Sequence, residues 1–290
     1  MINALSVDLE DYYHVSGFEK YIHRDCWHSL PGRIERNTER VLDLLARTGT
    51  RATFFILGWV ADRHQELVRR IAEAGHEIAC HSYWHRLVYQ MTPEEFRQDT
   101  AQAKTAIENA AGTAVIGYRA PSYSIIRPNQ WALDILLELG FHYDSSIFPV
   151  DHDRYGWRGS SRFAAPIRQT ASATLWEFPP STFALFDSPL PVAGGGYLRI
   201  LPYRYTKWAL ELINQEEGEA GCVYFHPWEL DPEQPRLGIG AGAWWRHSFG
   251  LSRMEGKLKK LLEDFEFAPL GRVLASRMDF QEGALTKQVN

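Results

Sequence analysis

Apolar and polar positions along the chain alternate between a strand-like period and a helical one for most of its length. The strand-like Ala4-Leu5-Ser6-Val7 comes first, followed by an amphipathic stretch with Ile34, Val41, Leu42, Leu44 and Leu45 on one face, stopped at Gly49. Ala52-Thr53-Phe54-Phe55-Ile56-Leu57 is apolar throughout, as expected of a strand covered on both faces by helices. Leu67, Val68, Ile71 and Ala72 predict a helix ended by Gly75, and Glu77-Ile78-Ala79-Cys80 a short strand. Thr92-Pro93-Glu94-Glu95 reads as a capping box opening a helix that runs to about Gly112. Val115 to Tyr118, Trp131 to Leu139, Phe141 to Tyr143, Leu175 to Phe178, Thr206 to Ile213, Val223 to Phe225 and Met254 to Leu262 continue the alternation. Repeated β-α units with right-handed crossovers give an α/β fold, either an open doubly wound sheet or a closed barrel. The stretches His152 to Ser172 and Asp231 to His247 are expected to be long loops, and Gln281 to Asn290 a frayed tail.

Composition narrows the function classes. With 290 residues, 45% hydrophobic and 23% charged, the chain can build a sizeable core. A formal charge of -5 leaves no basic field for phosphate backbones, so nucleic acid is not an expected partner. No apolar run approaches the roughly 20 residues of a membrane span, and no leader pattern opens the chain. The three cysteines, Cys26, Cys80 and Cys222, are odd in number and widely spaced, which together with the missing leader gives a cytoplasmic setting as the expectation.

Candidate chemistry sits just after the predicted strands, where α/β proteins assemble their sites. His81-Ser82-Tyr83-Trp84-His85 sets two imidazoles four apart, so that a single turn of helix would aim both at one point. Asp8-Leu9-Glu10-Asp11 crowds three acids that repel one another unless a cation or a proton holds them; in isolation the cluster reads as a solvated turn. Beside two histidines it reads as part of a two-His-plus-carboxylate metal site. Arg119-Ala120-Pro121-Ser122 offers a guanidinium to pair with a carboxylate and a turn that can aim a backbone N–H. Tyr224-Phe225-His226 adds a histidine suited to give a proton.

Taken together, Asp8 with its neighbouring acids, His81 to His85, Arg119-Ala-Pro-Ser and Tyr224-Phe-His226 resemble, in the same order, the motifs of the polysaccharide deacetylase family (NodB homology, carbohydrate esterase family four). The resemblance runs from Ser6 to about His226. Gly194-Gly195-Gly196-Tyr197-Leu198-Arg199-Ile200-Leu201-Pro202 and His226-Pro227-Trp228-Glu229-Leu230-Asp231-Pro232 further resemble the subgroup found beside bacterial exopolysaccharide and exosortase loci. It implies a distorted (β/α)7-type barrel forming a single deacetylase domain over 1–280, with core motifs in 6–226, a subgroup-specific segment in 227–280 and the tail in 281–290. It implies a divalent metal, commonly zinc, on His81, His85 and a carboxylate. Where the family carries two adjacent aspartates this chain has Leu9 in the second position, so Glu10 and Asp11 both stand as the third ligand. By the same resemblance Asp8 is the general base, Arg119 orients it, the backbone near Ser122 completes an oxyanion site, His226 is the general acid and Asp144 its partner. The expected substrate is an acetylated oligo- or polysaccharide, with N-acetyl groups of an exopolysaccharide or its precursor as the target. Hydrolysis of a small cyclic or linear amide, as in allantoinase-like relatives, and glycan binding without catalysis are the alternatives. Trp157, Trp228, Trp244 and Trp245 are candidates for stacking on sugar rings, and no role follows for His247.

Overall fold

The computed structural model describes residues 1–152, 155–185, 188–192 and 194–276; the expected tail and the last residues of the expected domain lie outside them. The strands are β1 Ile2–Leu9, β2 Thr53–Ile56, β3 Glu77–Cys80, β4 Gly117–Tyr118, β5 Tyr143–Asp144, β6 Ala165–Gln169, β7 Thr174–Glu177, β8 Thr182–Leu185, β9 Ser188–Pro191, β10 Cys222–Phe225 and β11 Glu266–Ala268. The α-helices are α1 Ile34–Thr48, α2 Gly58–Arg63, α3 Gln65–Glu73, α4 Pro93–Ala111, α5 Trp131–Glu138, α6 Gly195–Ile200, α7 Tyr203–Gln215, α8 Ala241–Ser248, α9 Leu251–Asp264 and α10 Leu270–Ala275. The mostly parallel α/β architecture expected from the alternation is present. The sheet runs β10-β1-β2-β3-β4-β5-β7-β6, with β11 also on β1 and only β6–β7 antiparallel; β8 and β9 form a separate antiparallel pair.

Local rules account for several boundaries. Gly49 and Gly112 end α1 and α4 in the left-handed conformation that glycine adopts without a Cβ penalty. The Thr92–Glu95 capping box opens α4 as expected, with Glu95 N–H on Thr92 Oγ1 at 3.2 Å and Thr92 N–H on Glu95 Oε2 at 2.8 Å. Two expectations fail. The stretch expected as a loop to His247 contains α8, and that expected as a loop to Ser172 contains β6.

Strand alternation sorts the core into two layers. Leu5, Val7 and Leu9 of β1 face the main cluster with Val41, Leu44 and Leu45 of α1. Ala4 faces a second cluster with Phe55, Ala79, Tyr143, Phe178 and Cys222, closed by Leu270, Val273 and Leu274 of α10. That inner layer draws on five parallel strands, β1, β2, β3, β5 and β10. By the period of two, Ser6 and Asp8 share the inner face with Ala4. α10 plugs its lower end, with Leu270 N–H on Thr53 Oγ1 at 2.8 Å and Gly271 N–H on Glu77 Oε2 at 3.0 Å. The opposite end, at the strands' C-termini, is left to polar groups.

Candidate active site and metal centre

Strand register brings the expected residues to one level. Leu9 pairs with Ile56 and Ile56 with Cys80, so the next residues, Glu10 and His81, emerge at one level on either side of β2; Cys80 pairs with Tyr118, which puts Arg119 beside His81. On the other flank of β1, Val7 pairs with Phe225, so Asp8, still within β1, is level with His226, the first residue past β10.

His81 Nε2 lies 3.0 Å and His85 Nε2 2.9 Å from the same oxygen, Glu10 Oε1, and all three side chains are buried. Their candidate ligand atoms all lie within 4.8 Å of one another. The His81–His85 segment is not the helical turn that the spacing suggested. Ser82 and His85 have positive φ (66° and 53°), and Asp99 of α4 grips the segment through the amides of Tyr83 (2.8 Å) and Trp84 (3.3 Å). Both rings reach Glu10 because the loop doubles back rather than coils.

The hydrogen bonding tests whether this set suits a cation. His81 Nδ1 is 2.7 Å from the Arg119 carbonyl oxygen, which can only accept, so Nδ1 carries the hydrogen. That leaves Nε2, which faces Glu10 Oε1 at 3.0 Å, as the His81 nitrogen able to ligate a cation held between the two side chains. Two imidazoles and one carboxylate are donors that zinc takes readily, and the carbonyl behind His81 is the outer-shell partner such ligands use. Burial alone would push Glu10 up, yet His85, His226 and His81 together hold its carboxyl well below the ordinary 4.5.

Asp11, the other candidate ligand, is engaged elsewhere. Its Oδ2 accepts the amides of Arg33 (2.6 Å) and Ile34 (3.0 Å) at the start of α1, and its Oδ1 accepts that of Tyr12 (2.9 Å). Burial pushes it up to about 6 in spite of those donors.

Asp8 Oδ1 accepts from Arg119 Nη1 at 2.6 Å. The guanidinium is fully buried and caged: Nη1 also donates to Ser6 Oγ (2.8 Å), Nε to the Ser145 carbonyl (3.1 Å) and Nη2 to Ser145 Oγ (2.8 Å), while its plane lies 4.1 Å over Phe55. Ser122 and Tyr123 both sit in the left-handed region (φ 50° and 55°) on the cavity wall, and Ser122 Oγ meets Ser16 Oγ at 2.7 Å. Among the described residues four non-glycine residues have positive φ, all in the His81–His85 and Pro121–Tyr123 turns, and they mark the strained end of the sheet as the candidate site.

His226 Nε2 stands 3.9 Å from both Asp8 Oδ2 and Glu10 Oε1. Its expected partner, Asp144, is not there: Asp144 Oδ1 accepts from Ser146 Oγ, which in turn accepts the Ala120 amide at 2.7 Å. Burial raises Asp144 to about 6 and Glu177 beside it further, so this carboxyl pair braces the Arg119–Ala120 turn from below. The partner in place is Glu229, whose Oε2 takes both the His226 amide and Nδ1 at 3.1 Å and whose Oε1 accepts from Arg199 Nε at 3.0 Å. Burial works against a charged His226, but Glu10, Glu229 and Asp8 outweigh it and lift its pKa from 6.5 to about 9. Glu229 was open to sequence reasoning, since His226-Pro-Trp-Glu229 has the spacing of a short capped turn; Arg199 gave no local signal.

Asp8, Glu10, His81, His85, Ser122 and His226 line one cavity of about 240 Å³. It opens into a groove of about 1040 Å³ walled by Val15 to Tyr21, by Leu87, Tyr89 and Gln90, and by Gly240 to Ala243 with Arg246 and His247, and the two share Val15, Ser16, Ser122, Tyr155, Arg199 and Trp228. Of the expected sugar-stacking residues, Trp228 lines both but is buried between His226 (5.3 Å) and His247 (4.4 Å). Trp245 is 61% exposed, while Trp157 lines a separate depression with Arg127 and Pro128.

Residues 25–143 match the polysaccharide deacetylase family model, and residues 145–275 match a domain of unknown function, DUF3473. Over 99 residues the chain is 34% identical to a peptidoglycan-N-acetylglucosamine deacetylase of Bacillus cereus, covering 33% of this chain and 36% of that protein. The chain spans less than half the length of the curated relatives it matches, from 15% to 48%. A solved structure described as a polysaccharide deacetylase of Mycobacterium smegmatis shares the fold with a TM-score of 0.61 at 22% identity, covering 95% of this chain and 90% of that one. The Puue allantoinase structure does so with a TM-score of 0.60 at 14% identity, covering 96% and 91%. Residues 25–143 are thus similar to the polysaccharide deacetylase family, and residues 145–275 to a domain of unknown function.

Proposed function

We propose that the chain is a metal-dependent deacetylase of N-acetylated sugars, acting on an extended glycan such as a bacterial exopolysaccharide or its precursor. The observation that carries this reading is the gathering of Glu10, His81 and His85 around one point, with the Arg119-held Asp8 and His226 in the same cavity. A divalent cation on those three residues, zinc by their chemistry, would supply a Lewis acid and lower the pKa of a water.

The protein's own groups do the rest. Arg119 fixes the Asp8 carboxylate so that it takes one proton of the attacking water while the hydroxyl adds to the acetyl carbon. The turn at Ser122 presents backbone to the carbonyl oxygen as it gains charge. When the C–N bond breaks, its electron pair stays on nitrogen, and His226 Nε2 gives that nitrogen a proton. Acetate and a free sugar amine result. An ionised Asp8 and a protonated His226 are both required, so kcat/KM follows a bell-shaped pH profile.

The likeness in fold to an allantoinase favours a second reading, hydrolysis of a small cyclic amide. The size of the groove beside the catalytic cavity weighs against it, since a small ureide would leave that groove empty. The test is acetate release from N-acetylglucosamine oligomers, compared with turnover of allantoin, by protein stripped of metal and by protein reloaded with zinc. Zinc-dependent acetate release that improves from dimer to tetramer is expected. Preference for allantoin, or glycan affinity without acetate release, overturns the reading.

A further inference from the structure

His226 sits at the head of a short turn whose fourth residue, Glu229, is fully buried. One Glu229 oxygen takes the amide and Nδ1 of His226; the other takes Arg199 Nε. Arg199, 6% exposed, is anchored in turn by donating Nη1 to the carbonyls of Arg246 (3.1 Å), His247 (2.6 Å) and Phe249 (2.7 Å). With both oxygens engaged by groups that cannot shift, the Glu229 carboxylate has one orientation. A carboxylate only accepts, so His226 Nδ1 must carry a hydrogen, which leaves Nε2 as the nitrogen that exchanges protons with the cavity. Trp228 stacks on the imidazole (interplanar angle 27°) with His247 on its far face (18°), and Gly195 brings its backbone so close that a Cβ there would lie 3.4 Å from His226 Cε1. The ring is fixed in rotation as well as in hydrogen bonding.

We propose that Glu229 and Arg199 are positioning residues for the proton that the leaving amine receives, holding His226 so that only Nε2 serves the cavity. This rests on the deacetylase reading and assigns a role to the segment of unassigned function. Residues 145–275 supply the proton donor and its orienting pair, while Glu10, His81, His85 and Arg119 lie before it. The local Glu229 stands where a distant aspartate was expected, and its link to Arg199 ties the donor to the α8 region that walls the groove.

The test separates proton delivery from folding by the leaving group. An amide needs a proton on nitrogen, whereas para-nitrophenyl acetate releases a stable phenolate and needs none. Glu229→Gln is expected to lower kcat on chitooligosaccharide by about 10²-fold, with KM within about threefold and kcat/KM on para-nitrophenyl acetate within about threefold. Arg199→Met/Glu229→Met, which removes both buried charges together, should show the same split with zinc content unchanged. Equal losses on both substrates, less than about a fivefold loss on the amide, or failure of both variants to fold would overturn the assignment and leave the pair a purely structural one. Wild-type protein that releases acetate from neither substrate would instead sink the deacetylase reading, and this assignment with it.

Discussion

Removing Arg119 should cost far more stability than neutralising Asp8, although the two form one ion pair. The Asp8 carboxylate is 3% exposed and has a single close charged donor, Arg119 Nη1 at 2.6 Å; the next cation, His226, is 3.9 Å away. Arg119 has that carboxylate and, besides, two serine hydroxyls, a carbonyl and the Phe55 ring. Arg119→Met therefore strands a buried charge and leaves the Ser145 carbonyl without this donor. Loss of one partner of a buried pair costs about 3–5 kcal/mol, which at about 2–4 °C per kcal/mol lowers the melting midpoint by about 6–20 °C. Asp8→Asn keeps an oxygen for Nη1 and leaves the guanidinium in its cage, so its cost stays within about 1–1.5 kcal/mol. Calorimetry of both variants reads the difference. Turnover should vanish in Asp8→Asn with zinc content intact, because the base is gone and the ligands are not. An Asp8→Asn variant as unstable as Arg119→Met, or one that has lost its metal, would refute the reasoning.

Glu10→Gln should weaken zinc binding by more than the about 10- to 100-fold that loss of an outer-shell partner costs, while Asp11→Asn leaves it within a few-fold; competition with a chromogenic chelator measures both. Gly194, at φ 131°, would place a Cβ 1.9 Å from Tyr224 Cε1, so Gly194→Ala should lower both melting temperature and acetate release, whereas Gly218→Ala, at φ 67° with nothing within 4 Å, should cost only about 1 kcal/mol. His76, far from the cavity, accepts the Ala52 amide at 3.2 Å and is held by burial at about 4, below its ordinary 6.5. The unfolded chain binds the proton first, so this contribution is present above pH 6.5 and is lost as pH falls through 4, by up to about 3 kcal/mol. His76→Gln should flatten that part of the stability profile by about one proton, and urea denaturation at stepped pH would expose an unchanged slope.

The elements legible in the sequence are those whose cause is local. β1, β2 and β3 follow from apolar runs, and α1, α3 and α4 from apolar spacing with Gly49, Gly75 and Gly112 as stops. β4 and β5 shrink to two residues each, because their pairing is limited by neighbours far along the chain. α8 went unseen: its small and aromatic residues carry only a weak helical period, and it is held from outside by Arg199 at its C-terminal end. In the site, residue types marked His81, His85, Asp8, Glu10 and Arg119, but contacts between segments decided what each one does. Asp11 caps α1 because the chain returns over it at Arg33, and Asp144 pairs with Ser146 and Glu177 because β5 lies beside β7. Local spacing offers one partner for His226, Glu229, three residues on, whereas the resemblance implies a distant aspartate.

The boundary between the two matched segments, near residue 144, cuts through the machinery rather than between machines. β1 is held on one side by β2 and on the other by β10, so residues 1–144 alone would expose an edge along Ala4 to Val7 and lose the partner that levels Asp8 with His226. Arg119, caged partly by Ser145 and Cys222, would lose three acceptor atoms at the same cut. Glu10, His81, His85 and the proposed base Asp8 come from residues 1–144 and the proposed proton donor His226 from the second segment, and the proposed reaction needs the attack and the departure in one cavity. On the reading proposed above, a chain ending at residue 144 would keep Glu10, His81, His85 and Asp8 to hold a cation and activate water, with nothing placed to protonate the amine.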